Sequence, residues 1–139
     1  MSARPPARIL LVEDTVQFAE LVRVALRNLD AEIVHVMSAS AALITIEQFQ
    51  PDLVLLDIGL PDMDGWHLLE ALRQEPRLQS EAPAILVMTA YGDPANRLIG
   101  KLQGVDGYLI KPCSIHEVRH AVAESLHLLD TAELTDPCA

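Results

Sequence analysis

Glu13 and Asp14, Asp57, Thr89 and Lys111 are residue types that could work together, and each follows at once on a short apolar run or closes one. Three carboxylates in one crevice repel one another and raise at least one pKa unless a cation is present. A divalent ion resolves that conflict. Oxygen ligands with room for waters and a phosphate oxygen suit Mg²⁺, which prefers octahedral geometry and keeps several waters. With the metal bound, a carboxylate can act as nucleophile toward phosphorus and become an aspartyl phosphate. Asp57, alone at the lip of an apolar run, is the first candidate. A hydroxyl and an ammonium, Thr89 and Lys111, would neutralise the oxygens of the transferred group.

The apolar pattern shows which strands and helices would carry these residues. Asp57 ends the run Leu53-Val54-Leu55-Leu56 and precedes Ile58 to Gly65, a segment dense in turn formers. A continuous apolar run of this length suits a strand covered on both faces of a parallel sheet. Comparable runs at Ile9 to Val12, Ile33 to Val36, Ala84 to Met88 and Tyr108 to Ile110 alternate with helical patterns, which indicates βα units. The first helix carries Val16, Leu21, Val22, Ala25, Leu26 and Leu29 on one side and Gln17, Glu20, Arg23 and Arg27 on the other. Ala41 to Phe49, Trp66 to Arg73 and Ile115 to Leu129 supply three more helices. Asp93 to Gln103 is a weaker helix because Pro94 and Gly100 fall inside it, although proline is tolerated in a first turn. In a doubly wound, flavodoxin-like sheet of order 2-1-3-4-5, strands one and three are neighbours, and ligands bind in the crevice outside their carboxyl ends.

The chain has 139 residues, enough for one domain and not for two. Its apolar stretches fall short of the ~20 residues of a membrane helix, and no signal peptide is legible before Ile9, so the expected setting is the cytoplasm without membrane insertion. The formal net charge of −10 argues against direct nucleic-acid binding, which relies on Lys and Arg meeting phosphates. Cys113 and Cys138 have no partner spacing for zinc or a disulfide framework and read as free thiols. Residues 1–7 and 130–139 read as terminal segments around a domain at 8–129.

Leu10 to Asp14, Asp57 through Pro61 to Gly65, Thr89-Ala90 and Tyr108 to Pro112 together resemble the receiver domain of two-component response regulators. The resemblance covers about residues 8 to 129 and implies a flavodoxin-like (βα)5 fold. It makes Asp57 the phosphoacceptor, phosphorylated by a histidine kinase or phosphotransfer protein. Glu13 and Asp14 become the acidic pair that holds Mg²⁺ with Asp57 and the Gly59 carbonyl, and Thr89 and Lys111 the phosphoryl ligands. Tyr108 takes a position whose aromatic rotamer follows phosphorylation. Signalling would then pass through the face formed by Asp93 to Gln103, the last strand and the last helix, toward a downstream protein target. The protein would be a monomer or a phosphorylation-dependent dimer, with only self-catalysed phosphorylation and dephosphorylation. Glu13 stands where some members have aspartate, which puts metal affinity rather than role in question. Lys111-Pro112 matches the family's cis peptide. With nothing resembling a helix-turn-helix or nucleotide-cyclase motif after Leu129, a stand-alone regulator is expected, and excision from a longer protein is the alternative.

Each residue also has a plainer reading. Asp14 could cap the first helix, Asp57 could be a turn former, Thr89 a strand-end cap and Lys111 a solvated charge. Tyr108 could be simple packing. Trp66 is expected to pack beside the turn before the third helix. His116 and His120 have i, i+4 spacing but no third ligand nearby, and His35, His67 and His127 have no constellation around them. Two rival functions stand beside the first: a phosphorylation-independent binding module of the same fold, and an aspartyl-phosphate phosphatase. The second is weakened because haloacid-dehalogenase-like enzymes carry a second Asp where this chain has Gly59. By the same resemblance Gly59 and Tyr91 influence the lifetime of the phosphoryl group, with Tyr91 expected to shield it.

Overall fold

Every apolar run offered as a strand pairs in parallel with its neighbours in the computed structural model, which describes residues 5–75, 82–90 and 94–126. The elements are β1 (Ala7–Val12), α1 (Val16–Ala25), β2 (Ala31–Val36), α2 (Ala39–Thr45), β3 (Leu53–Asp57), α3 (Gly65–Arg73), β4 (Ala84–Thr89), α4 (Pro94–Gln103), β5 (Gly107–Ile110) and α5 (Ile115–Ser125). The sheet order is β2-β1-β3-β4-β5, as expected.

Alternation along the strands builds two cores. On one face Leu10, Val12, Val54, Leu56 and Val87 meet Ala42 of α2, Ile46 just past its end, and Leu68, Leu69 and Leu72 of α3. On the other, Ile9, Leu11, Leu53, Leu55 and Met88 meet Ala19 and Val22 of α1 and Val118 and Val122 of α5. β3 is buried along its whole length because both of its faces are covered and strands flank it on both sides. β2 lies at a sheet edge, and its last four residues are only half-buried. Burying each Leu contributes about 1.5–3 kcal/mol, so the central strands β1 and β3 are held in the register that keeps their apolar residues within the two cores.

The register also brings the strand ends level. Val12 is opposite both Val36 and Leu56, Asp57 is opposite Met88, and Thr89 is opposite Ile110. Glu13, Asp57, Thr89 and Lys111 therefore all stand at one edge of the sheet.

Helix boundaries depart from the sequence pattern where partners from elsewhere intervene. α2 begins two residues before the expected Ala41, because Ser38 Oγ accepts the Ala41 N–H at 3.1 Å and Asp62 accepts the Ala39 and Ser40 N–H groups. It gives way after Thr45 to turn bonds that run on to Phe49. α4 forms despite Pro94 and Gly100, with proline at its first position. Gly104, at φ 69°, follows its end in the left-handed conformation that glycine adopts without a steric cost. α5 starts at a capping box formed by Ser114 and Glu117. Its expected extension to Leu129, together with Tyr91, Asp93, His127, Cys138 and the segment 130–139, lies outside the described residues.

Gly65 opens α3 directly against the strand it follows. A Cβ there would lie 2.3 Å from Ile58 Cα and 2.9 Å from the Asp57 carbonyl oxygen. Both are backbone atoms and cannot yield by rotation. We expect Gly65→Ala to lower unfolding free energy by about 3 kcal/mol in urea denaturation, an overpacking effect.

Candidate functional site

The sheet's carboxyl edge gathers most of the residues singled out in the sequence. Glu13 is completely buried, Asp57 is 6% exposed and Thr89 1%. Glu13, Asp14 and Asp57 each offer a carboxylate oxygen within 4.8 Å of the others. The Lys111 ammonium crosses from the end of β5 to Glu13 Oε1 at 2.6 Å and Asp57 Oδ2 at 3.2 Å. Thr89 joins through the backbone, its carbonyl accepting the Lys111 N–H at 2.8 Å. Tyr108 packs instead against the α2–α3 core, opposite Val87 in the register. The Lys111-Pro112 peptide is cis.

Several plainer readings are now decided. The N-cap of α1 is Thr15, so the Asp14 carboxylate is not spent on capping. Lys111 is no solvated charge, since it is held between two buried carboxylates. Asp57 does serve its turn, its Oδ1 accepting the Gly59 N–H at 2.9 Å, while its second oxygen faces Lys111. Trp66 packs against the α2–α3 core at the start of α3, as expected.

The electrostatics follow from burial. Loss of water pushes the Glu13 carboxyl above its ordinary value, and the nearby Asp57 charge adds to this, against the pull of Lys111 and the Thr15 N–H. Burial alone would lower the Lys111 ammonium, but Glu13 and then Asp57 outweigh it and the net shift is upward. Lys111 thus remains a cation that offsets two of the three carboxylates. The sequence reading gave that task to a metal alone; here the lysine shares it.

The donor set also fits a small hard cation. Three carboxylate oxygens within 4.8 Å of one another, with a backbone carbonyl and waters to complete the shell, would suit the all-oxygen coordination of Mg²⁺. Both Glu13 oxygens are engaged, Oε1 by Lys111 and Oε2 by the Thr15 N–H at 3.0 Å. A cation bound through Oε1 must compete with the ammonium.

Two contacts escaped the sequence analysis. His35, at β2, has Nε2 2.7 Å from the Glu13 carbonyl oxygen, so a ring N–H fixes the backbone of the acidic pair. Asp62, in the loop after β3, accepts from Ala39 N–H at 2.9 Å, Ser40 N–H at 3.1 Å and Ser40 Oγ–H at 2.7 Å. The same loop closes through the Gly59–Asp64 bridge, and Asp64 caps α3 through the Trp66 N–H. Asp62 thereby ties the segment carrying Gly59 to the start of α2. Polar turn residues are common, and only a contact across more than twenty residues distinguishes this one. Cys113 is buried, and burial followed by the Glu117 charge pushes its thiol up, so it remains protonated near neutral pH. His116 and His120 are exposed on α5 and belong to no group of three ligating residues among the described residues.

The hydrogen bonds from Ala39, then Ser40, hold the Asp62 carboxyl down at about 2, against 3.8 for an ordinary Asp. A depressed folded-state pKa contributes stability in full above the unfolded value, and that contribution is lost as pH falls through the folded one. Asp62→Ala is therefore expected to melt below the native protein at pH 6, with the gap narrowing once pH falls below about 4. Thermal melts across that range check the sign.

Against known proteins, the model of the response regulator receiver domain matches residues 9–123. The probable transcriptional regulatory protein TcrX of Mycobacterium tuberculosis is 36% identical over 113 residues, covering 81% of this chain and 47% of its own length. A putative response regulator from Chloroflexus aurantiacus superposes with a TM-score of 0.79 at 32% identity, over 88% of this chain and 98% of that one. The Mn²⁺-bound form of the response regulator Rcp1 superposes at 0.77 with 26% identity, over 90% and 98% of the two chains. The chain spans about half the length of the first curated relatives it matches. No helix of the described residues is long and apolar enough to cross a membrane. With its strand order, its acidic edge and a family model spanning most of its length, the chain belongs to the receiver domains of two-component response regulators.

Proposed function

We propose that Asp57 accepts a phosphoryl group from a phosphohistidine of a histidine kinase or phosphotransfer protein, with Mg²⁺ held by Glu13, Asp14, Asp57 and the Gly59 carbonyl. The observation that carries this reading is the cluster itself: three carboxylate oxygens within 4.8 Å of one another, with the Lys111 ammonium already on two of the residues. The Mn²⁺-bound relative supports a divalent ion in this fold.

In the transfer, an Asp57 carboxylate oxygen forms a bond to phosphorus as the P–N bond breaks, and the electron pair leaves with the imidazole nitrogen. Mg²⁺ supplies charge neutralisation for the phosphoryl oxygens when bound. Lys111 lies 3.2 Å from Asp57 Oδ2 and needs little movement to meet an oxygen of the new phosphoryl group. Thr89, joined to Lys111 by a backbone hydrogen bond, stands at the adjacent strand end, where its hydroxyl can donate to another. Hydrolysis reverses the bond to Asp57, with water as nucleophile, and releases inorganic phosphate.

The phosphoryl group biases a conformational equilibrium only by its different interaction with the two states. Thr89 is the element it reaches on β4, and Tyr108 is the neighbouring aromatic on β5. Movement of Thr89 toward phosphate and of Tyr108 inward would alter the face made by α4, β5 and α5, where the downstream protein binds. The pathway, and any output carried by a longer form of the protein, belong to partners rather than to this site.

Labelling by acetyl phosphate should require Mg²⁺, be abolished by EDTA and be lost in Asp57→Asn; Mg²⁺-independent labelling, or labelling that survives the substitution, overturns the proposal. Lys111→Met is expected to bind Mg²⁺ more tightly, because Glu13 loses its competitor, and yet to be phosphorylated about 10²-fold more slowly for want of the ammonium. Magnesium titration and labelling kinetics on the same variant read both effects. Thr89→Ala should accept phosphate but show no full change at the α4–β5–α5 face by amide chemical shifts.

A further inference from the structure

The apolar stripe of α1 runs Phe18, Val22, Ala25, and its first member stands at the level of the acidic crevice. Phe18 is half-buried against the α1–α5 core. The Lys111 ammonium sits 4.5 Å from the centre of its ring, within the range of a cation–π contact. Lys111 therefore has three partners: Glu13 Oε1, Asp57 Oδ2 and an aromatic face. Its side chain is only 18% exposed, so the contact lies largely out of water, where such attraction is strongest.

The three partners differ in what happens to them during the reaction. Glu13 must yield Oε1 if a metal is to take it, and Asp57 loses its free carboxylate when it becomes an acyl phosphate. Phe18 alone is unchanged by either event. We infer that Phe18 is a positioning residue for phosphoryl transfer: its ring face keeps the Lys111 ammonium at the crevice while the carboxylates change partners, so that the cation is in place for the phosphoryl oxygens. The inference rests on the proposed phosphorylation of Asp57. A lysine without such a hold has a long flexible stem and a strongly hydrated head that favours solvent.

Phe18→Leu keeps an apolar side chain and removes the aromatic face, whereas Phe18→Tyr keeps the face. Acetyl phosphate labelling of the full chain with saturating Mg²⁺ should slow about fivefold in Phe18→Leu, equivalent to about 1 kcal/mol of barrier, and recover in Phe18→Tyr. The Mg²⁺ dissociation constant should not rise. In a Lys111→Met background Phe18→Leu should have no further effect, since a residue acting through the lysine has nothing left to act on. An unchanged rate in Phe18→Leu, or the same slowing in both backgrounds, overturns the inference while leaving the phosphorylation of Asp57 standing. Failure of the native protein to label at all removes both. Should Phe18→Leu not fold, the native protein carries the test: the Lys111 ε-methylene protons should resonate upfield of ordinary lysine values through the ring current, and ordinary values overturn the contact.

Discussion

A carboxylate fully withdrawn from water must meet positive charge or take up a proton, and at Glu13 the structure supplies the charge. The Lys111 ammonium at 2.6 Å is that counterion, and it reaches Asp57 as well. Removing either partner of such a pair leaves an uncompensated charge in a poorly solvated place, which is far costlier than losing an exposed ion pair. Lys111 is 98 residues from Glu13 in the chain, so the pair can exist only when β1, β3 and β5 are aligned. The same interaction leaves Glu13 fully engaged, Oε1 by the lysine and Oε2 by the Thr15 N–H.

The sheet makes that alignment cheap to hold. In β1, β3 and β4, the apolar residues just before the edge are buried on both faces, and a slip of one residue would draw a carboxylate or hydroxyl in among them. The residues just beyond the last apolar position then stand together at the same end of the sheet. Packing of ordinary Leu and Val fixes the chemistry to within ångströms, and the reactive groups need only be of the right type at the right strand end.

The segment from Asp57 to Gly65 does several tasks at once. Asp57 turns the chain by accepting the Gly59 N–H, Gly65 lets α3 start against the backbone of Ile58, and Asp62 reaches across to α2. These contacts hold Gly59 in the same short loop that Asp57 opens. A loop held at both ends and pinned in the middle has little backbone freedom left to lose.

The alternation of strands and helices, the burial of β3 and the identities of Glu13, Asp14, Asp57, Thr89 and Lys111 are legible in the residues alone, because period and residue type are local properties. The parallel α/β class follows from that alternation, and the resemblance of four separated motifs supplied the strand order. The pairings between distant segments arise only on folding: Lys111 with Glu13 as well as Asp57, His35 on the Glu13 carbonyl, Asp62 on α2, and Phe18 beside the ammonium. None of these leaves a periodic or compositional trace. A cation chooses among several carboxylates by distance, and an orphan N–H at a helix start accepts whichever acceptor the fold brings near. Thr89 and Lys111 could be named from their positions, but that the lysine rather than a metal alone steadies the acidic crevice depends on separations that exist only once the sheet has formed.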